Sequence, residues 1–412
     1  MKRIILHSDL NNFYASVECL LHPELEDKYV AVCGNKKDRH GIVLAKNQKA
    51  KLMGVSTGET IYEAQKKCPN LIIVPPTFDE YMKYSSIVRQ IYLRYTNQVE
   101  SFGMDECWLD VTGSTSLFGS GKKIAEEIRC AVKKETGLTV SVGVSFNKVF
   151  SKLASDMKKP DAVTEIKEED FKQKIWNLPA SSILGVGRKF EKDLELQCIY
   201  TIGDIARTPL EFLTKRYGKN GRTVWEYANG KDYSPVADSE YVSPIKSIGN
   251  GITCTSDLKD SREVKNVILY LSRCVCRRLR QNNLMAGGVA ISVKDNKLKT
   301  NEYQAQLPFS TVSVQRIADF AFSLFCSRHK GKNDIRSVSI RAINLKERGS
   351  SMQTSFFFDT DKIDKELKAE DAMEKIQNKF GKNSITYGSL LGDIKVPANA
   401  GKEIILPHSI KS

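Results

Sequence analysis

The sequence predicts an α+β protein of several domains, and three observations predict it. The chain has 412 residues, enough for roughly three or four domains of common size. Short apolar runs with strand character alternate with stretches whose apolar residues recur every three or four positions, the mark of amphipathic helices. A proline-bearing stretch, Tyr233 to Pro244, precedes a segment that is compactly basic.

The first region is organised around Ser101–Val111, SFGMDECWLDV. Gly103 offers a turn, and Trp108, Leu109 and Val111 favour a pleated, half-buried surface. The stretch predicts a β-hairpin with Asp105 and Glu106 at or just past its tip. Neighbours on a strand point to opposite faces. Both carboxylates therefore serve one site only if the turn splays them, or if one binds metal while the other faces substrate. In a chain that is 27% charged, most such pairs are solvated loop residues. The N-terminus changes the balance. Ile4–Leu6 begins a short apolar strand that ends in Asp9, and a carboxylate at the end of a buried strand is costly unless paired or metal-bound. Asp9, Asp105 and Glu106 together can hold two hard divalent cations through oxygen, as Mg²⁺ prefers.

The remaining elements of this region follow in order. Phe13 and Tyr14 come directly after Asp9 and its neighbours, and a helical pattern begins there. From Gly41, GIVLAKNQKAKLMGV reads as a strand running into a helix, with Lys46, Lys49 and Lys51 clustered at the junction. Cations beside the free N–H groups of a helix start suit a triphosphate; a solvated basic face is the plain alternative. Tyr81 to Tyr95 reads as a helix, with Tyr84, Val88 and Ile91 on the same stripe. Lys122–Glu135 is a second helix, stopped by Gly137. Thr139–Val144 is a strand and Lys148–Met157 a helix. Two helices over an antiparallel sheet that carries carboxylates describe a palm.

Three segments now stand in order: DLNNFYASVE from Asp9, GMDECWLDVTG from Gly103, and SVGVSFNKVFSKLASDMKKPD from Ser141. Together they resemble the signature set of the Y-family translesion DNA polymerases, nearest to the DinB, or DNA polymerase IV, branch. The fingers and tail carry features similar to the UmuC branch. The resemblance runs from Met1 to about residue 350. It implies a right-hand polymerase with a palm at 1–17 and 79–165 and small fingers at 18–78. A helical thumb would occupy 166–232, a linker 233–244, an α+β little finger 245–350 and a C-terminal tail 351–412. It also implies roles. Asp9, Asp105 and Glu106 are the metal-binding and catalytic carboxylates, with the Leu10 backbone carbonyl as a further ligand. Tyr14 is the steric gate against ribonucleotides, and Phe13 beside it is either part of the nucleotide site or core. Gln48 and Lys51 stand where DinB-type members usually have Tyr and Arg, so Lys51 meets phosphate as a point charge rather than a fork. Lys159 reaches back to the triphosphate, and Lys158 is exposed. The family often has Asp where this chain has Asn11, a position that is not usually a metal ligand.

In the second half, ILGVGRKFEKDL from Ile183 looks like a helix-hairpin-helix. Gly185 and Gly187 permit close approach, and the next helix start can bind a DNA phosphate through backbone N–H. Arg188 and Lys189 favour that over a merely tight helical turn. Residues 243–350 hold 19 Lys+Arg against 8 Asp+Glu, which is +11 of the chain's formal +14. There the expected order is strand (Lys246–Thr253), helix (Arg262–Gln281), strands (Gly288–Lys294 and Glu302–Leu307), helix (Val314–Phe325) and strand (Ile335–Leu345). Such a unit grips DNA backbone without sequence preference. Further on, MQTSFFFD at 352–359 resembles the bacterial sliding-clamp peptide, with Gln353, Phe356 and Phe357 as its anchors; completion of a strand is the alternative. Residues 362–380 form an amphipathic helix with Ile363, Leu367, Ala372, Ile376 and Phe380 on one stripe.

The net charge suits a polyanionic partner, nucleic acid before a membrane surface. No apolar run reaches the ~18 residues of a membrane span, and Ile4–Leu6 is too short for a signal peptide. The ten cysteines show no paired zinc-ligand spacing, so reduced, mostly buried thiols in a cytoplasmic monomer are expected. The resemblance implies template-directed addition of dNTPs to a primer 3′-hydroxyl with two Mg²⁺ per site. Low fidelity follows from small fingers and from no stretch resembling a proofreading nuclease. Two rivals remain. A palm-type nucleotide cyclase also places such a hairpin beside a strand carboxylate, but needs no basic second half. A catalytically silent DNA-binding protein needs no complete carboxylate set.

Overall fold

The computed structural model describes residues 2–35, 39, 41–348, 360–381 and 384–397. Gln353, Phe356 and Phe357 lie outside the described residues. The chain divides into two compact units. The first runs to Cys33 and from Ile42 to Ser243; the second runs from Pro244, and Gly34–Gly41 groups with it.

The first unit opens with β1 (Ile5–Leu10), α1 (Phe13–Leu21), β2 (Tyr29–Cys33), β3 (Val43–Lys46), α2 (Gln48–Leu52), α3 (Ile61–Lys67) and β4 (Leu71–Val74). It continues with α4 (Phe78–Tyr92), β5 (Val99–Ser101), β6 (Glu106–Asp110), α5 (Thr115–Phe118), α6 (Gly121–Thr136), β7 (Val140–Ser145), α7 (Lys148–Met157) and β8 (Val163–Glu165). Five strands make one sheet in the order β5-β6-β1-β7-β8. All pairings are antiparallel except that of β7 with β8. β1 is central and buried along its whole length. Its alternate residues do different jobs, as period-two geometry requires. Leu6 and Leu10 enter the core with Val88, Ile91, Ile124 and Ile128 of α4 and α6. His7 and Asp9 face α7 instead, against Ser155 and Lys159.

Helix α7 lies against β7 because of one glycine. A Cβ on Gly143 would sit 1.9 Å from the Ser151 carbonyl oxygen and 2.8 Å from the Ala154 methyl group. α4 ends at Tyr92, so Tyr95 falls outside the helix expected to contain it. Tyr95 packs on Phe118 at 5.1 Å between ring centroids instead.

A second, three-stranded sheet has the order β3-β2-β4. It packs with α2 and α3 around Ala31, Val43, Ala50, Ile61 and Ala64. Asn47 caps α2 by accepting from the Ala50 amide, and Thr60 with Glu63 forms a capping box on α3. Beyond β8 come α8 (Phe171–Ile175), α9 (Arg188–Glu195), α10 (Ile202–Arg207) and α11 (Leu210–Ala228). The last is interrupted at Gly218, whose φ is 60°. These helices share a core with Phe150 and Leu153 of α7.

The stretch expected to be a linker from 233 is mostly bound. Val236 is buried with Ile5 and Trp108. The Ala237 amide donates to Glu100, Arg3 donates to the Ser234 carbonyl, and Arg89 to the Ser239 carbonyl. A buried valine and satisfied backbone groups hold residues 234–239 on the first unit, although the segment has few large apolar residues.

The second unit holds β9 (Ile248–Leu258), α12 (Ser261–Gln281), β10 (Leu284–Asp295), β11 (Thr300–Thr311), α13 (Val314–Arg328), β12 (Ile335–Ile343), β13 (Lys346–Glu347) and α14 (Thr360–Phe380). Its sheet has the order β11-β10-β12-β9, and α12 and α13 share its core. Three strands run longer than the sequence pattern suggests: β9 continues to Leu258, β10 starts at Leu284 and passes a bulge between Ala286 and Gly288, and β11 runs from Thr300 to Thr311.

α14 is part of this unit rather than a separate tail, and it docks mainly through acidic residues, with Leu367 alone of its large apolar residues from 365 onward packed on the core. Ile376 and Phe380 are exposed. Glu370 is buried and accepts from the Ser313 hydroxyl and the Val314 amide at the start of α13. Arg280 of α12 meets Glu370 at 2.7 Å, Asp371 at 3.1 Å and Glu374 at 3.2 Å. A buried guanidinium needs carboxylates around it, and α14 supplies them. Residues after it continue on the same unit, where the Thr255 amide donates to the Lys395 carbonyl and Lys395 pairs with Glu263.

No disulfide joins the cysteines among the described residues, and no described helix is long and apolar enough to cross a membrane. Gly143→Ala should cost about 2–3 kcal/mol, the size of a forced overpacking. It should lower the melting temperature and push α7 off the sheet, read as lost hydrogen-exchange protection at Val142 and Val144.

Candidate active site

β1 pairs with β6 so that Asp9 stands opposite Glu106. One residue further, the Leu10 amide donates to the Asp105 carbonyl at 2.9 Å. Asp105 therefore sits in the hairpin turn and Glu106 on the first strand position after it. The turn splays the two neighbours, so both face one cleft. Gly103 makes room for this: a Cβ there would lie 3.0 Å from Asp105 Oδ1.

The cleft has a volume of about 420 Å³. Asp9, Leu10, Asp105, Glu106 and Lys159 line one side, and Leu44, Ala45, Lys46, Gln48, Lys51 and Thr57 line another. Between them come Asn12, Phe13 and Tyr14. Every candidate named from the first two segments and from Lys159 thus borders a single space. Lys49 does not; it turns away to Asp27 at 2.7 Å. Phe13 borders the cleft but is only 3% exposed and belongs to the core. Tyr14 is half-buried and lies flat on Tyr81, with centroids 4.4 Å apart and planes at 9°. Tyr81 is itself held by a hydrogen bond to buried Glu18.

The carboxylates are paired with lysines from α7 and the turn after it. Lys159 Nζ is 2.6 Å from Asp9 Oδ2 and 2.7 Å from Asp156. Lys152 Nζ is 2.6 Å from Glu106 Oε2. Behind Glu106 stands His7, fully buried, with Nε2 at 3.5 Å. Ser155 places its single hydroxyl proton on the Lys152 carbonyl and stands 2.9 Å from His7 Nδ1. Burial lowers the His7 pKa, which keeps the ring neutral.

The charges are unevenly balanced. Burial pushes Asp9 up to about 6 despite Lys159, and burial with the charge of Glu106 raises Asp105. Burial pushes Glu106 up too, but His7 and Lys152 outweigh it and hold the acid at about 2. On the other side, burial and the charge of Lys51 lower Lys46. One wall is short of positive charge and the other short of negative charge. Burial and the charge of Asp105 push Tyr14 up to about 12, so its hydroxyl stays neutral.

This donor set fits divalent cations: three carboxylates and a backbone carbonyl, all oxygen, with burial and like charge raising the pKa of two of the three acids. Among the described residues, no three Asp, Glu, His or Cys side chains are already drawn into a metal-holding cluster. Asp9 and Glu106 are instead engaged in ion pairs with Lys159 and Lys152.

Lys159 is expected at the site from the sequence, whereas Lys152, Ser155 and Asp156 are not, although their spacing of three and four along α7 and its exit marks one helical face. His7 carried no signal at all, since a histidine in a buried strand reads as core. The thumb candidates lie elsewhere in this unit. Gly185 has φ +97°, a left-handed value that favours glycine. Gly187 precedes α9 as its N-cap residue, with nothing within 4 Å of a built Cβ. Arg188 and Lys189 are exposed on the first turn. The helical stretch before the glycines is short, a single 3₁₀ turn at Ala180–Ser182.

Comparison with known proteins gives a consistent result. The impB/mucB/samB family matches residues 8–156, and the C-terminal domain of that family matches residues 245–356. A DNA polymerase IV of Acetivibrio thermocellus is 51% identical over 393 residues, covering 95% of this chain and 98% of its own length. A DNA polymerase IV of Clostridium acetobutylicum is 33% identical, covering 95% and 99%. DNA polymerase IV 1 of Bacillus subtilis is 34% identical, covering 94% and 93%. Among solved structures, a Y-family DNA polymerase chimera superposes with a TM-score of 0.74 at 23% identity, over 84% of this chain and all of the chimera. That last likeness speaks for the fold.

A buried carboxylate whose folded pKa lies above its unfolded value destabilises the fold wherever it is ionised. For Asp9 the cost is absent below pH ~4 and complete above about pH 6. Asp9→Asn should therefore melt higher than the parent at pH 7.5 without divalent cations, with the gap closing at pH 4.5. Added Mg²⁺ should raise the parent's melting temperature and leave the variant's nearly unchanged.

Proposed function

The chain belongs to the Y family of DNA polymerases, in its DinB branch, and from that membership and the geometry of the cleft we propose how its residues divide the work. It is a template-directed translesion DNA polymerase, with primer-template DNA and dNTPs as its substrates. Relatives of this kind match across both units, which removes the nucleotide-cyclase and silent-binder alternatives.

One observation carries the assignment. Asp9 and Glu106 are cross-strand partners beside Asp105, at one end of a cleft whose other wall presents Lys46 and Lys51. Enzymes of this family use divalent metal ions. We assign Asp9, Asp105, Glu106 and the Leu10 carbonyl as the ligands of two Mg²⁺. Bound there, the ions supply a lowered pKa for the primer 3′-hydroxyl and neutralisation of the phosphate charge. The protein's own groups do the rest. Lys159 leaves Asp9 for the β- and γ-phosphates, and Lys152 releases Glu106. Lys46 and Lys51 balance the triphosphate from the fingers side, where Gln48 donates a hydrogen bond rather than a charge. Leu44 and Ala45 offer a small apolar surface to the new base pair. Tyr14, backed by the Tyr81 ring, stands where a 2′-hydroxyl would project. Positioning and charge compensation supply the rate in phosphoryl transfer.

The palm is the five-stranded sheet with its helices, the fingers the three-stranded sheet, and the thumb α8–α11. In the thumb, the Gly185–Gly187 turn with Arg188 and Lys189 takes a DNA phosphate at the start of α9. The basic second unit is the little finger. Gln353, Phe356 and Phe357 are assigned to docking on the sliding clamp, with the enzyme acting as a monomer.

Asp105→Ala should abolish primer extension while leaving primer-template affinity within about twofold of the parent, measured by fluorescence anisotropy. Retained extension would sink the carboxylate assignment. Tyr14→Ala should admit ribonucleotides, raising the rNTP-to-dNTP incorporation ratio by about a hundredfold or more in single-nucleotide assays.

A further inference from the structure

We propose that Asn11 sets the position of Lys159, and with it the grip on the triphosphate; this rests on the assignment of Lys159 to the phosphates. The chain between α7 and β8 crosses the end of β1. There Asn11, 6% exposed, uses its amide as a strut. Its Oδ1 accepts from the Asp161 backbone amide at 2.8 Å and from the Thr139 hydroxyl at 3.1 Å. Its Nδ2 donates to the Ser141 hydroxyl at 2.9 Å. Its own backbone is fixed too, since the Asn11 amide donates to the Thr139 carbonyl and the Asn11 carbonyl accepts from Ser16.

The same turn is clamped from the other side. The Asp161 carboxylate pairs with Arg129 and Lys133 of α6, both at 2.8 Å. The Ala162 carbonyl accepts from the Val142 amide at 2.8 Å. Lys159 lies two residues before Asp161, and Asp9 two residues before Asn11. The strand that carries a carboxylate of the site thus also carries the anchor of the lysine that meets it at 2.6 Å. Removing the Asn11 amide leaves the Asp161 N–H without its acceptor and frees the turn on one side. Lys159 keeps its charge but loses its fixed root, so the loss falls on nucleotide binding before it falls on chemistry. Asn11 borders the cleft, but its side-chain amide is taken up by Asp161, Thr139 and Ser141, so it acts as a positioning residue through Lys159.

The test uses the full-length enzyme on primer-template DNA with Mg²⁺, in single-nucleotide kinetics. Asn11→Ala should raise the dNTP KM by roughly five- to tenfold, the scale of one lost buried hydrogen bond, and change kcat by less than about twofold. Asn11→Asp keeps the Oδ1 acceptor and should restore a KM near the parent's. Thr139→Val, which removes one donor and leaves the strut, should raise KM about twofold and serves if Asn11→Ala folds poorly. In a Lys159→Ala background, Asn11→Ala should add nothing to KM. An unchanged KM in Asn11→Ala, or an effect that persists without Lys159, overturns the inference alone. A Lys159→Ala enzyme with the parent's KM overturns the triphosphate assignment, and the inference with it.

Discussion

The pairing of β1 with β6 is the constraint on which the rest of the site depends. Cross-strand register puts Asp9 opposite Glu106, and a one-residue slip would send Asp9 into the apolar face that Leu6 and Leu10 fill. That apolar face pins the register: Leu6, Leu10 and Leu109 are buried with Val88, Ile91, Ile124 and Ile128. The core and the acidic site are two faces of one central strand. Hydrophobic burial on one side thereby fixes acidic geometry on the other.

The cost of that arrangement is an acidic cluster that burial disfavours. Two lysines offset it. Lys152 and Lys159 both leave the surface of α7 and its exit turn, and both hold carboxylates through short ion pairs. α7 can supply them because Gly143 lets its backbone lie directly on β7. Both ion pairs are made by side chains of one helix and its exit turn, so they sit on the same side of the central strand.

Much of this was legible in the residues. Asp9, Asp105 and Glu106 stand out as carboxylates in apolar strands and Lys51 as a lysine at a helix junction, whereas Lys159 is singled out by family resemblance. Less legible were residues whose role depends on what packs behind them. His7 looks like any buried strand residue. Asn11 looks like a neutral departure from a family pattern until its amide is seen holding Asp161. Phe13 and Tyr14 are adjacent aromatics, yet one is core and the other is stacked at the mouth of the cleft. The α14 helix reads as amphipathic with no evident partner, and the structure has it present Glu370, Glu374 and Gln377 to its own unit beside Leu367. The buried Arg280 that demands this lies ninety residues away. The stretch after Tyr233 reads as a loose connection, and Val236 with Glu100 makes its first part a bound strap.

By itself the sequence determined the class of chemistry, the strands and helices that carry it, and the excess of positive charge in the second half. Periodicity, turn residues and ionisable groups are local properties, so they survive in one dimension. Tertiary structure alone decided which neighbours share a face, which lysines answer which carboxylates, and which polar residues serve as struts. Those outcomes depend on hydrogen bonds and burial between segments up to 150 residues apart, as with Lys159 and Asp9. No local pattern encodes a partner at that distance.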